Sequence, residues 1–178
     1  MQNATLFQPD SLQHSHGARY YSGEAQRPSH SAPDYQLDYQ FVALLDAYRY
    51  CSGLARANEV LVMLKSRDGA NAQKLASWIV NRKLICFEWR SKLWLPLFQF
   101  NQLDMTPLPG LEQALTALSA SFDGWEIADW FARPNAWLAS ETPADKLLSD
   151  PPAVLRAACA ERFSVMESTA GAVVGALR

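Results

Sequence analysis

The stretch running Trp130-Phe-Ala-Arg-Pro-Asn-Ala-Trp-Leu-Ala-Ser-Glu-Thr-Pro-Ala-Asp-Lys-Leu-Leu-Ser-Asp-Pro-Pro152 constrains this chain more than any other, because it holds several helix boundaries in a short span. Thr142 followed by Pro143 reads as N-cap and first helical residue, where the fixed φ of proline fits and its missing N–H costs nothing. Asp150 followed by Pro151 repeats the device. Arg133-Pro134 ends the helix before it, since the residue preceding a proline is pushed out of the α region. The segment is therefore predicted to be short helices meeting at sharp angles, with Trp130, Trp137, Leu147 and Leu148 available to pack. Compact helical modules of this kind usually bind and seldom catalyse.

The rest of the chain divides by composition. Residues 1–33 are rich in Ser, Gln, His, Pro and Gly, and are expected to be disordered or loosely ordered. From Tyr35, Leu37, Phe41, Leu44, Leu45 and Tyr48 recur at helical spacing up to Gly53. Asn58 is placed to cap a second helix over Glu59–Lys65. Arg67-Asp-Gly69 reads as a turn, and a third helix is predicted from about Ala70 to Arg82 with Leu75, Trp78 and Ile79 inward. The period then becomes two: residues 84–89 and 93–100 flank Arg90-Ser-Lys92 as a β-hairpin, with Pro96 implying an edge or bulged second strand. Helix, helix, turn, helix and hairpin is the layout of a winged helix-turn-helix module over 35–100. Beyond Pro107-Leu-Pro-Gly110 every signal is helical, so 107–167 is expected to be a compact helical module and 168–178 a tail. The fold class is mainly α with one small β-hairpin.

Charge separates the same two halves. Residues 35–100 carry nine basic and five acidic side chains, whereas 101–178 carry five basic and ten acidic. The first half leans toward an anion such as double-stranded DNA, the second toward a basic or neutral partner. From Lys65 to Lys92 there are seven basic and two acidic residues. Recognition helices need polar side chains for base edges, here Asn71, Gln73 and Ser77, and flanking cations for phosphate, here Lys74, Arg82 and Lys83. Arg90 and Lys92 at the hairpin tip suit a wing crossing the DNA backbone. A solvated basic face with no ligand is the competing reading. In the second half, Trp130, Arg133, Asn135 and Trp137, with Glu141, Asp145 and Asp150 nearby, have the aromatic and arginine content of a protein-binding hot spot. The alternative makes both tryptophans core and Arg133-Pro134-Asn135 a turn.

Several chemistries find no support. Cys51, Cys86 and Cys159 are far apart with no CxxC, which argues against a zinc site. His14, His16 and His30 all lie in the polar N-terminal segment, so the folded part holds no histidine base. No Gly-rich phosphate loop or GxSxG occurs. The expectation is a protein without cofactor or metal that is not an enzyme. Neither a signal-peptide pattern nor an apolar run of roughly 18 residues is found, so the cytoplasm is the expected location and no membrane the expectation for partners.

The order Leu95-Pro-Leu-Phe-Gln-Phe100, Pro107-Leu-Pro-Gly110, Trp125, Trp130-Phe-Ala-Arg-Pro-Asn135, Leu138, Thr142-Pro143 and Leu147-Leu148 resembles the Xre/MbcA/ParS-type antitoxins, over about residues 55–165. The chain departs from that pattern at the helix-turn-helix, where Ser66-Arg-Asp-Gly-Ala-Asn71 replaces the usual Leu-Gly-Val-Ser-like turn. The resemblance implies a cytoplasmic bacterial regulator: a DNA-binding module, a toxin-binding module, a homodimer, a RES-type toxin as partner, and repression of its own promoter. The alternative is a non-catalytic interaction adaptor that kept this architecture without DNA binding.

Overall fold

The computed structural model describes residues 32–68 and 72–175, with side chains over 35–66 and 72–164. Asn71, the 1–31 segment and residues 176–178 lie outside the described residues. Within them the chain is mainly helical, with seven α-helices and one three-stranded antiparallel sheet.

Helix α1 (Ala32–Ala47) continues into a 3₁₀ turn, Tyr48–Tyr50. Only Phe41, Leu44 and Tyr48 of its predicted stripe are buried, whereas Leu37 and Leu45 are 41% and 40% exposed. The apolar stripe is wider than the face the core accepts. Tyr48 is fully buried, and its hydroxyl donates to the Ala128 carbonyl at 2.6 Å, so the start of the domain is tied to a helix eighty residues on.

Strand β1 (Leu54–Arg56) was not visible in the sequence, because three residues are too few to show alternation. It pairs antiparallel with β3 (Lys92–Pro96), which also pairs with β2 (Phe87–Trp89), giving the order β1-β3-β2. The expectation that Pro96 marks an edge or bulged strand is thus corrected, since β3 is the central strand. Proline is tolerated there as the last residue of β3, past the end of β2, whose register stops at Phe87 opposite Trp94. The hairpin turns on Arg90 and Ser91, both at positive φ (48° and 55°), the type I′ geometry that matches strand twist.

Helix α2 (Ala57–Asp68) is longer than predicted at both ends and places Asn58 inside it. The capping is done by Glu59, which accepts the Arg56 backbone N–H at 2.8 Å and so supplies half of a capping box. Helix α3 (Ala72–Val80) ends in a Schellman motif: Lys83 N–H donates to Trp78 O and Arg82 N–H to Ile79 O. Residues 84–86, predicted as strand, form none. The backbone N–H and C=O of Ile85 pair instead with the side chain of Gln99, at 2.7 and 3.0 Å. Gln99 is fully buried and also donates to the Pro96 carbonyl at 2.8 Å, while its own backbone carbonyl accepts from Leu108 N–H.

Helices α4 (Leu111–Leu118), α5 (Gly124–Ala132), α6 (Pro143–Ser149) and α7 (Pro151–Gly175) follow the boundary signals closely. Asp123 and Glu126 form a full capping box, the Thr142 hydroxyl accepts Asp145 N–H, and Asp150 Oδ1 accepts Ala153 N–H at 3.0 Å. Arg133 sits at φ −100°, ψ 148°, ending α5 before Pro134. Two glycines mark close approach. Gly110, at φ +85°, faces the Pro151 ring, and a Cβ on Gly124 would strike the Cys86 carbonyl. Helix α7 runs through most of the segment expected to be a tail, to Gly175. One buried cluster extends from Phe41 on α1 to Ala158 on α7, without a break between residues 100 and 107.

Replacing Gln99 by Ala would strand the Ile85 N–H and carbonyl in the core. A loss of about 3 kcal/mol in urea-unfolding free energy is expected; a loss below about 1 kcal/mol would show that Ile85 finds other partners.

Candidate functional site

Of the residues expected at DNA, α3 carries three. Gln73 and Ser77 are exposed on its outer side, where Ala76 and Val80 (79% exposed) complete a face without a carboxylate. The Ser77 backbone and hydroxyl oxygens both accept from Asn81 Nδ2. Lys74 is half-buried with its ammonium 5.2 Å from the Trp78 ring centroid, and its charge reaches Asp104. Arg82 is exposed at φ 51°, in the C′ position where helices prefer glycine.

Two of the expected phosphate contacts are engaged elsewhere. Lys83 lies 3.3 Å from Glu112 on α4, both well exposed. Arg90 is held more firmly: its guanidinium sits 2.7 Å from Asp38 on α1 and stacks on the Trp89 ring at 4.7 Å. The other Asp38 oxygen accepts from Trp89 Nε1 at 3.0 Å, so one carboxylate latches the hairpin tip to α1. The hairpin is tied on its other side too, by Trp125 Nε1 donating to the Glu88 carbonyl. Lys92 is exposed, and like Arg82 it makes no ion pair with a described residue.

The four residues expected to bind a partner converge. Trp130, Arg133, Asn135 and Trp137 line one cleft of about 410 Å³ beside α5, the 3₁₀ turn Ala136–Leu138 and α7. Their roles differ. Asn135 is buried and structural: its side chain accepts Trp137 N–H at 2.9 Å, and its backbone bonds Glu141, Leu138 and Ser140. Trp130 is half-buried edge-on to Phe131 at 5.0 Å, with its indole N–H buried and without an acceptor among the described residues. Arg133 is exposed and paired with Asp129 at 2.6 Å. Trp137 stands 67% exposed.

The acidic residues singled out by sequence are spent locally. Glu141 holds Lys146 at 2.8 Å, Asp150 caps α7, and Asp145 accepts from the Thr142 hydroxyl and from the Cys51 thiol at 3.1 Å. Burial, followed by that bond to Asp145, pushes the Cys51 thiol up to about 11, so it remains protonated at neutral pH. The carboxylates that do line the cleft are Glu126, Asp129 and Glu161. Glu126 and Asp129 share a face with Arg133 at three- and four-residue spacing, a signal present in the sequence. Glu161 reaches the cleft through α7, which packs on α4, α6 and the 3₁₀ turn Ala136–Leu138. It is half-buried and makes no hydrogen bond or ion pair with a described residue.

Among the described residues no group of three or more His, Cys, Asp or Glu is placed to hold a metal, and no helix is long and apolar enough to cross a membrane. No protein family, curated protein or solved structure matches the chain.

Trp137→Ala should leave stability within about 0.5 kcal/mol of the parent, whereas Trp130→Ala should cost roughly 2 kcal/mol or more and Asn135→Ala about 1 kcal/mol. Equal losses for the two tryptophans in thermal or urea unfolding would contradict the division into surface and core.

Proposed function

We propose that this protein is a DNA-linked regulator of the antitoxin type, which acts by binding: one face contacts DNA and another holds a protein partner. The order α1, β1, α2, α3, β2, β3, with strands arranged β1-β3-β2, supports a winged helix-turn-helix reading in which α3 enters the major groove and the Arg90–Ser91 turn is the wing. The observation that carries the proposal is the outer face of α3. Gln73, Ala76, Ser77 and Val80 lie outward with no carboxylate among them, and Arg82 follows directly. Small and polar side chains permit close approach to base edges, with Val80 suited to a thymine methyl. An arginine at a left-handed C′ position strains the backbone where glycine would not. That position turns the exposed Arg82 side chain out directly after the uncharged face of α3. Resemblance to the Xre/MbcA/ParS antitoxins adds a RES-type toxin as the protein partner, repression of the protein's own promoter and a homodimer.

The latch between Arg90 and Asp38 favours a second reading, an interaction adaptor that no longer touches DNA. A hairpin held to α1 is less available to cross a DNA backbone. In the DNA-binding reading, Arg82 and Lys92 carry the phosphate contacts and Arg90 orients the turn. Lys83 contributes by exchanging its exposed pair with Glu112, which water screens, for a phosphate.

Arg82→Gly separates the two readings. It should raise unfolding free energy by about 1 kcal/mol through relief of the left-handed strain. It should also weaken retardation of promoter DNA and make the salt dependence shallower by about one ion. Parent protein that retards no DNA would favour the adaptor, and retardation unaffected by Arg82→Gly would remove Arg82 from the contact.

A further inference from the structure

The cleft beside α5 has a composition that specifies its occupant. Three carboxylates, Glu126, Asp129 and Glu161, line it against the single cation Arg133, which Asp129 already holds. Glu126 has one oxygen committed to the Asp123 backbone N–H. Glu161 is therefore the lining acid that makes no hydrogen bond or ion pair with a described residue, and it stands half-buried at the cleft. The exposed indole of Trp137 shares the cleft, and aromatic faces attract cations as well as apolar stems. A large indole left in water beside an unpaired acid is poorly explained by packing, because the adjoining turn is already closed by Asn135.

We infer that this cleft receives a Lys or Arg side chain from a basic segment of a partner protein, with the cation on Glu161 and the aliphatic stem along Trp137. The inference rests on the partner-binding half of the proposed function and names the chemistry of that partner's docking segment. Charge complementarity sets the choice: the half of the chain that builds the cleft carries ten acidic and five basic residues. Arginine is the better-fitting cation, since its planar guanidinium can stack on the indole while donating to the carboxylate.

The test uses the full chain with ¹⁵N-labelled tryptophan and a tetra-arginine peptide as probe, with tetraglutamate and tetraserine as controls. Tetra-arginine is expected to shift the Trp137 indole N–H signal saturably, with salt weakening the effect, while neither control does so. Glu161→Gln should weaken this binding about tenfold, and Trp137→Ala, titrated by calorimetry because it removes the reporting indole, should weaken it with the melting temperature unchanged. No saturable shift with tetra-arginine, equal affinity in Glu161→Gln, or the same shift from tetraserine would overturn the inference. So would concentration-dependent shifts of the Trp137 signal without peptide, which would place a second copy of this chain in the cleft. No DNA is present in the titration, so its failure and a failure of DNA retardation are read separately.

Discussion

The buried carboxamide of Gln99 is the joint on which the rest of the structure depends. The segment between α3 and the hairpin buries Leu84 and Ile85, and so carries backbone polar groups into the core. Pairing with a further strand would normally satisfy them. Here one side chain supplies both the acceptor and the donor that Ile85 needs, and its spare N–H holds Pro96. Buried polar groups are tolerated only when so paired. The backbone of the same residue then accepts from Leu108, so a single position joins the sheet-bearing half to the loop that leads into α4. With Tyr48 bonded to Ala128, it explains why two halves of opposite charge share one core.

Charge segregation along a sequence is not the same as charge segregation on a surface. The span from Lys65 to Lys92 is strongly basic, yet folding brings Asp38 to Arg90 and Glu112 to Lys83. Both acids come from outside that span. Among the described residues, what remains outward is narrower than the composition implies: Lys65, Arg82, Lys92 and the uncharged face of α3. In the second half the reverse happens. The acids that sequence spacing brought to notice are consumed in caps and local pairs, while Glu161 is left over at a cleft.

Local signals in this chain were readable where the physics is local. Thr142-Pro143, Asp150-Pro151 and Arg133-Pro134 each act over one helical turn, and each lies at the boundary it marks. The hairpin turn at Arg90 was legible because the period changes on either side of it. Elements defined by pairing were not. β1 has three residues and no pattern of its own, and exists because β3 offers it a register from Leu54 to Arg56. Residues 84–86 continue the strand pattern but form no strand, and the backbone N–H and C=O of Ile85 pair instead with a side chain fourteen residues away. Asn58 looked like a cap, but Glu59 reaching back to Arg56 made a better one.

The sequence by itself determined where helices start and stop, that Trp130, Arg133, Asn135 and Trp137 lie together, and that the two halves differ in charge. Those properties follow from torsional preferences, capping and composition, which act within a few residues. Tertiary structure decided that Trp137 is left in water while Trp130 is half-buried, that Asn135 is spent on its own turn, that Arg90 is latched, and that Glu161 faces the cleft. Exposure and pairing depend on which distant surfaces meet, and no local pattern encodes that.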